Sequence, residues 1–131
     1  MIKTIICLAV TFCMSLAASA DAEDSTVYEL RTYTTNEGKL DHLHTRFREH
    51  TLQIFEKHGM KNIGYWIPVN TPNTLTYLLQ HESSAAAAES WKAFIADPEW
   101  QKVYAASIAN GRLVSNIEST FMSATDYSPM R

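Results

Sequence analysis

Residues 27–34 read VYELRTYT, a run of β-branched, aromatic and alternating polar residues that favours an extended strand. A strand sends successive side chains to opposite faces, so Tyr28, Leu30 and Thr32 share one side and Glu29, Arg31 and Tyr33 the other. The first set is expected to face the core. The second places an acid, a base and an aromatic ring at consecutive same-face positions, and what covers that face decides the functional reading.

The chain begins MIKTIICLAVTFCMSLAASA, with Lys3 near the terminus, an apolar run over residues 5–17 and Ala18-Ser19-Ala20 as a small-residue cleavage site. This is the pattern of a secretory signal peptide over residues 1–20, and its apolar run is shorter than the ~20 residues a spanning helix needs. The expected mature product is therefore exported, periplasmic or secreted, without a membrane anchor. Phe12 stands before Cys13 where a lipoprotein carries a small residue, which argues against lipid attachment. Both cysteines, Cys7 and Cys13, fall in the segment to be removed, so disulfides and thiolate chemistry are excluded from the mature chain.

The remaining 111 residues suffice for one domain with a real core. They carry ten basic and fourteen acidic side chains, a formal charge of −4, and no basic run. Nucleic acid is a disfavoured partner, because its binding rests on clustered Lys and Arg. Residues 21–26 are polar and acidic and are expected to form a flexible tail.

Asn36 is placed to cap a helix over residues 37–58, in which Leu40, Leu43, Phe47, Ile54, Phe55 and His58 recur at spacings of three and four. Gly59 ends it. Residues 61–69 alternate, with Ile63, Tyr65 and Ile67 opposite Gly64 and Trp66, and the turn residues 70–73 lead to a strand over 74–81 with Leu75, Tyr77 and Leu79 in line. Ser83 or Ser84 caps a second helix with Trp91, Phe94 and Ile95 as its apolar face. Asp97-Pro98-Glu99 opens a third, which carries Trp100, Val103, Tyr104 and Ile108 inward and stops at Gly111. A last strand over 113–123 sets Ile117 and Phe121 against Asn116, Glu118 and Thr120.

This order predicts an α+β, ferredoxin-like βαββαβ fold: one four-stranded antiparallel sheet with helices on one face, its first strand flanked by the last and the third. Tyr28, Ile63, Tyr65, Leu75, Tyr77, Ile117 and Phe121 would lie beneath the helices. The opposite face would collect Glu29, Arg31, Tyr33, Trp66, Leu78, Gln80, Asn116 and Glu118. Two such sheets placed face to face would close into a barrel and bury this set as the interior of a homodimer.

VYELRTYT with a Gly-Lys-Leu soon after, the EKHGM helix exit, GYW, TLTYLL, WKAF, DPEW and a terminal YSP together resemble the NIPSNAP family over residues 27–129. The resemblance implies a dimeric α+β barrel. It carries no agreed catalytic motif. Related barrels include cofactor-independent monooxygenases, haem-binding or haem-degrading proteins and decarboxylases. The secretory signal and the single repeat-free domain separate this chain from the vertebrate members and their mitochondrial roles.

The candidate ligand site is Arg31 with Glu29, Tyr33, Trp66, Glu118 and His81. Its plainer reading is an ion pair of Arg31 with Glu29 and Glu118 that fixes strand register or the dimer. Its sharper reading is a pocket in which Arg31 holds a carboxylate or enolate oxygen while Trp66 and Tyr33 hold an apolar or aromatic body. Turnover would need a general base, for which His81 and Glu118 are the suppliers. Trp91 and Trp100 read as helix-to-sheet core. No metal site is expected: His42 and His44 are two apart on a helix, and His42 with Arg46, like His44 with Arg48, reads as solvated surface. His50 and His58 fall near the apolar stripe. No cofactor is expected, although His50, His58 or His81 could ligate a haem at a barrel mouth. Two functions stand side by side: a homodimeric barrel that binds a small hydrophobic or aromatic molecule, with or without oxygenase-like turnover, and a non-catalytic protein-interaction module.

Overall fold

A computed structural model describes residues 25–131; the expected signal peptide and most of the expected tail lie outside the described residues. The elements are β1 (Val27–Thr35), α1 (Leu40–Arg46), a π-helical turn (Phe47–Thr51), α2 (Leu52–Lys57), β2 (Lys61–Trp66), β3 (Thr74–His81), α3 (Ser84–Ala96), α4 (Pro98–Ser107) and β4 (Val114–Met122). The strands form one antiparallel sheet in the order β2-β3-β1-β4. This is the expected ferredoxin-like α+β arrangement, with β1 between β3 and β4. Among the described residues no helix is long and apolar enough to cross a membrane.

The first helix starts later than its sequence predicts. Gly38 adopts φ +72°, which a helix cannot continue through, so residues 36–39 form a turn and Asn36 donates its side-chain amide to the Arg112 carbonyl at 2.8 Å instead of capping. The far end follows expectation: Gly59 at φ +76° donates to the Glu56 carbonyl and Met60 to that of Phe55, a Schellman closure. Between them the Leu52 N–H reaches the Phe47 carbonyl, one residue further back than an α-helix allows. The extra residue turns Thr51 inward and leaves His50 exposed. Ser83 and Asp97 cap α3 and α4, accepting from the Ala86 and Glu99 N–H groups at 3.0 and 2.8 Å.

The register of β1 overturns its predicted facing. Glu29 pairs with Leu79, Arg31 with Tyr77 and Tyr33 with Leu75, all on the side the helices cover. Tyr28, Leu30 and Thr32 therefore belong to the open face, with Thr76, Leu78, Gln80, Trp66 and Glu118. A bulge between Asn62 and Gly64 absorbs Ile63, and β2 ends at Trp66 ahead of Pro68. The core is Tyr33, Leu43, Phe47, Ile54, Phe55, Met60, Leu75, Tyr77, Leu79, Phe94 and Leu113. Its centre is Tyr77, which stacks on Tyr65 at 5.2 Å and meets the edges of Tyr33 and Phe47 at the same distance.

Two expected inward faces are incompletely covered. On α3, Ala87, Trp91 and Phe94 make the stripe and Ile95 is exposed. On β4, Ile117 and Phe121 do point to the helix side but stay half exposed, because the helices do not reach this edge strand. Helix α4 buries none of its residues completely. It stands off the sheet, and the space it leaves is the cleft described next.

Candidate functional site

Glu29 is 1% exposed, and four donors converge on its carboxylate. Arg31 Nη1 and Ser119 Oγ reach Oε1 at 2.5 and 2.7 Å; Trp91 Nε1 and His81 Nε2 reach Oε2 at 2.7 and 2.9 Å. The donors come from β1, β4, α3 and β3, so the cluster ties three strands to the helix layer. Burial alone would raise the pKa of Glu29, but the bonds from His81, Ser119, Trp91 and Arg31 outweigh it and hold it at about 2. An ionised carboxylate only accepts, so His81 carries a proton on Nε2. Burial likewise pulls the Arg31 guanidinium down, and the neighbouring Tyr33, Tyr77 and Glu29 outweigh this and hold it above its ordinary value. Its carbon lies 4.2 Å from the centre of the Trp91 ring.

Of the predicted site residues, then, Glu29, Arg31 and His81 come together, with Tyr33 at their edge, its hydroxyl 3.4 Å from Arg31 Nη2. Trp66 and Glu118 do not join them. Both lie on the open face, where Glu118 is opposite Thr32 and Ser119 takes the place expected for it beside Arg31. Trp91 and Ser119 were not foreseen. The spacing of Trp91, Phe94 and Ile95 marked Trp91 as inward, but an indole N–H aimed at a carboxylate leaves no separate trace in sequence.

Beside the cluster lies a cleft of about 300 Å³ between the sheet and the helices. Tyr33, Phe47, Phe55, Phe94, Trp100 and Tyr104 give it aromatic walls, and Arg46 and Arg112 are its two charged lining residues. Glu29, Arg31 and His81 do not line it. Arg46 was expected on the solvated surface with His42, yet it is 5% exposed. It follows Leu43 by three residues and precedes Phe47, so it rides the flank of the buried stripe; that spacing was the available signal. On its outer side a second groove of about 580 Å³ runs between α1 and α4 past His42, Glu49, His50 and Lys102.

Among the described residues no group of three His, Cys, Asp or Glu side chains is placed to hold a metal ion. Of the three histidines considered as haem ligands, His81 has its Nε2 engaged by Glu29, His58 has its Nε2 2.7 Å from Asp97, and His50 is exposed beside the outer groove.

A sequence profile of the NIPSNAP family matches residues 28–129. The chain belongs to the NIPSNAP family. Among curated proteins none matches the sequence. A NIPSNAP family protein of unknown function from Agrobacterium tumefaciens superposes on this NIPSNAP domain with a TM-score of 0.71 at 23% identity, over 82% of this chain and 96% of the other. A NIPSNAP-like domain protein from Burkholderia xenovorans gives 0.71 at 20% identity, over 81% and 90%. SnoaB, a cofactor-independent oxygenase from Streptomyces nogalater, gives 0.58 at 15%, over 80% and 98%. At these identities the likeness is one of fold.

Proposed function

We propose that this NIPSNAP domain is exported and acts as a homodimeric barrel that binds one small aromatic or apolar molecule per protomer in the cleft between sheet and helices. The observation that carries this is the cleft itself: about 300 Å³, walled by six aromatic rings and provided with a few polar groups. The open sheet face supports the dimer. Leu30, Thr32, Thr76 and Leu78 are only partly covered there and Trp66 is 53% exposed, a surface that a second sheet would bury.

Turnover in the manner of a cofactor-independent oxygenase such as SnoaB requires a base at the cleft. His81 is tied to Glu29 and Glu118 faces the other way, so the proposal is confined to binding. A second reading, a protein-docking module, rests on edge strand β4 with Ile117 and Phe121 half exposed. Native mass spectrometry of protein purified gently from an export host separates them. A dimer carrying extra small-molecule mass is the expected result. A monomer, or a dimer that stays empty after exposure to aromatic ligands, would overturn the proposal.

A further inference from the structure

The NIPSNAP domain contains one partly buried and one fully buried arginine, in opposite circumstances. Arg31 has its carboxylate. Arg46 has none: among the described residues it makes no ion pair, and its one hydrogen bond is from Nη1 to the Ser107 hydroxyl at 3.1 Å. Its Nε is buried without a partner. Trp100 and Tyr104 offer ring faces 5.2 and 5.5 Å from the guanidinium carbon, a partial substitute for water and no substitute for a counter-charge.

This arrangement is costly in isolation. A guanidinium stays protonated at any working pH, so it cannot escape burial by neutralising, and an uncompensated buried charge destabilises a fold by several kcal/mol. Burial pulls its pKa down, while Tyr33, Tyr104 and Tyr77 oppose that pull. The cleft lining adds Arg112 and includes no acid, in a chain whose acids outnumber its bases by fourteen to eleven. Positive charge is thus concentrated at an aromatic cavity without an internal partner.

We propose that Arg46 is the anion-binding group of this cleft and that its ligand is a small aromatic carboxylate, whose ring lies among Phe47, Phe94 and Trp100. The proposal rests on the reading of the cleft as a ligand site. A carboxylate matches the donor fork of a guanidinium and would supply the counter-charge that Arg46 lacks. The volume sets the size of the ring system: a cavity of about 150 Å³ accepts benzene, and this one is about 300 Å³. A bicyclic carboxylate, or a single ring with a short acid side chain, fits that space.

The test is calorimetric titration of the full-length protein with 2-naphthoate and with the neutral 2-naphthalenemethanol. Wild type is expected to favour the acid by about tenfold or more, the worth of one charge-assisted hydrogen bond. Arg46→Met should lose that preference while still binding the alcohol, and its urea midpoint should hold or rise, whereas removal of a purely structural arginine would lower it. Arg46→Lys keeps the charge without the fork and should retain part of the preference. Equal binding of acid and alcohol by wild type would overturn the assignment and leave the cleft reading standing. So would a preference that survives in Arg46→Met and disappears in Arg112→Met. If neither compound binds wild type, the cleft reading fails and this inference with it.

Discussion

Trp91 Nε1 donates to Glu29 Oε2 at 2.7 Å, a single bond that links helix α3 to the central strand through the most buried acid of the domain. Three further donors complete the acceptor capacity of that carboxylate. Glu29→Gln turns one acceptor oxygen into a donor facing donors and leaves Arg31 without its counter-charge. The expected loss is about 3 kcal/mol, read as a lower urea midpoint. A loss below about 1 kcal/mol would mean that the cluster contributes little to stability.

The pH dependence follows from the same carboxylate. Its pKa is about 2 in the fold against an ordinary 4.5, so the unfolded chain takes up the proton first as pH falls. The stabilisation is complete above pH about 4.5 and is lost on descent toward pH about 2, with a total on the order of 3 kcal/mol. The gap in unfolding free energy between wild type and Glu29→Gln should narrow across that window. A gap that stays constant would show that Glu29 is not ionised in the folded state.

Asp97 is the hinge of the two-helix segment. It caps α4 with Oδ1, and Oδ2 lies 2.7 Å from both Lys57 Nζ and His58 Nε2; Lys57 first, then His58 and the Glu99 N–H, hold its carboxyl well below the usual range. Asp97→Ala should cost about 1 to 2 kcal/mol and speed amide exchange along α4, while Asp97→Asn should retain the cap and lose less. Equal losses for the two variants would assign the effect to charge alone.

Leu78 sits at the middle of the open face, opposite Leu30 on one side and Gly64 on the other. If the proposed dimer closes over this face, Leu78→Lys should convert it to a monomer in sedimentation with an unchanged far-ultraviolet spectrum, since the position contributes to no core contact beneath the helices. A dimer that persists would locate the contact elsewhere.

Gly64 lies under the Trp66 ring, and a Cβ built there would come within 2.5 Å of it. Gly64→Ala should displace the indole, shift Trp66 fluorescence and weaken the proposed dimer, with stability of the single chain changed by less than about 1 kcal/mol because the ring is the free end of a side chain. An unchanged emission spectrum would show that the ring does not rest on Gly64.

The element order and the sheet topology were legible because the periods of two and 3.6 and the punctuation at Gly59, Ser83, Asp97-Pro98 and Gly111 agree with one another. The facing of β1 was not. Local patterning sends Tyr28 and Leu30 inward and Glu29 and Arg31 outward, and that rule fails here because the partners that make a buried carboxylate tolerable lie 52, 62 and 90 residues away, at His81, Trp91 and Ser119. Arg46 was missed for a related reason: a helical arginine is ordinarily solvated, and only the stand-off of α4, a tertiary fact, shows the space into which it turns.

The π-helical turn of residues 47–51 amounts to a change of phase within one rod. Leu43, Arg46 and Phe47 keep one angular origin; Thr51, Ile54 and Phe55 keep another, advanced by a single residue. The stretch from Leu40 to Lys57 is thus two short amphipathic helices spliced without a loop, and both keep a side on the cleft, Arg46 and Phe47 before the shift and Thr51 and Phe55 after it. A one-residue deletion at His50 would bring the halves back into step and return a uniform stripe. Because the wide turn already takes up that residue, the two halves would keep the relative facing they have now.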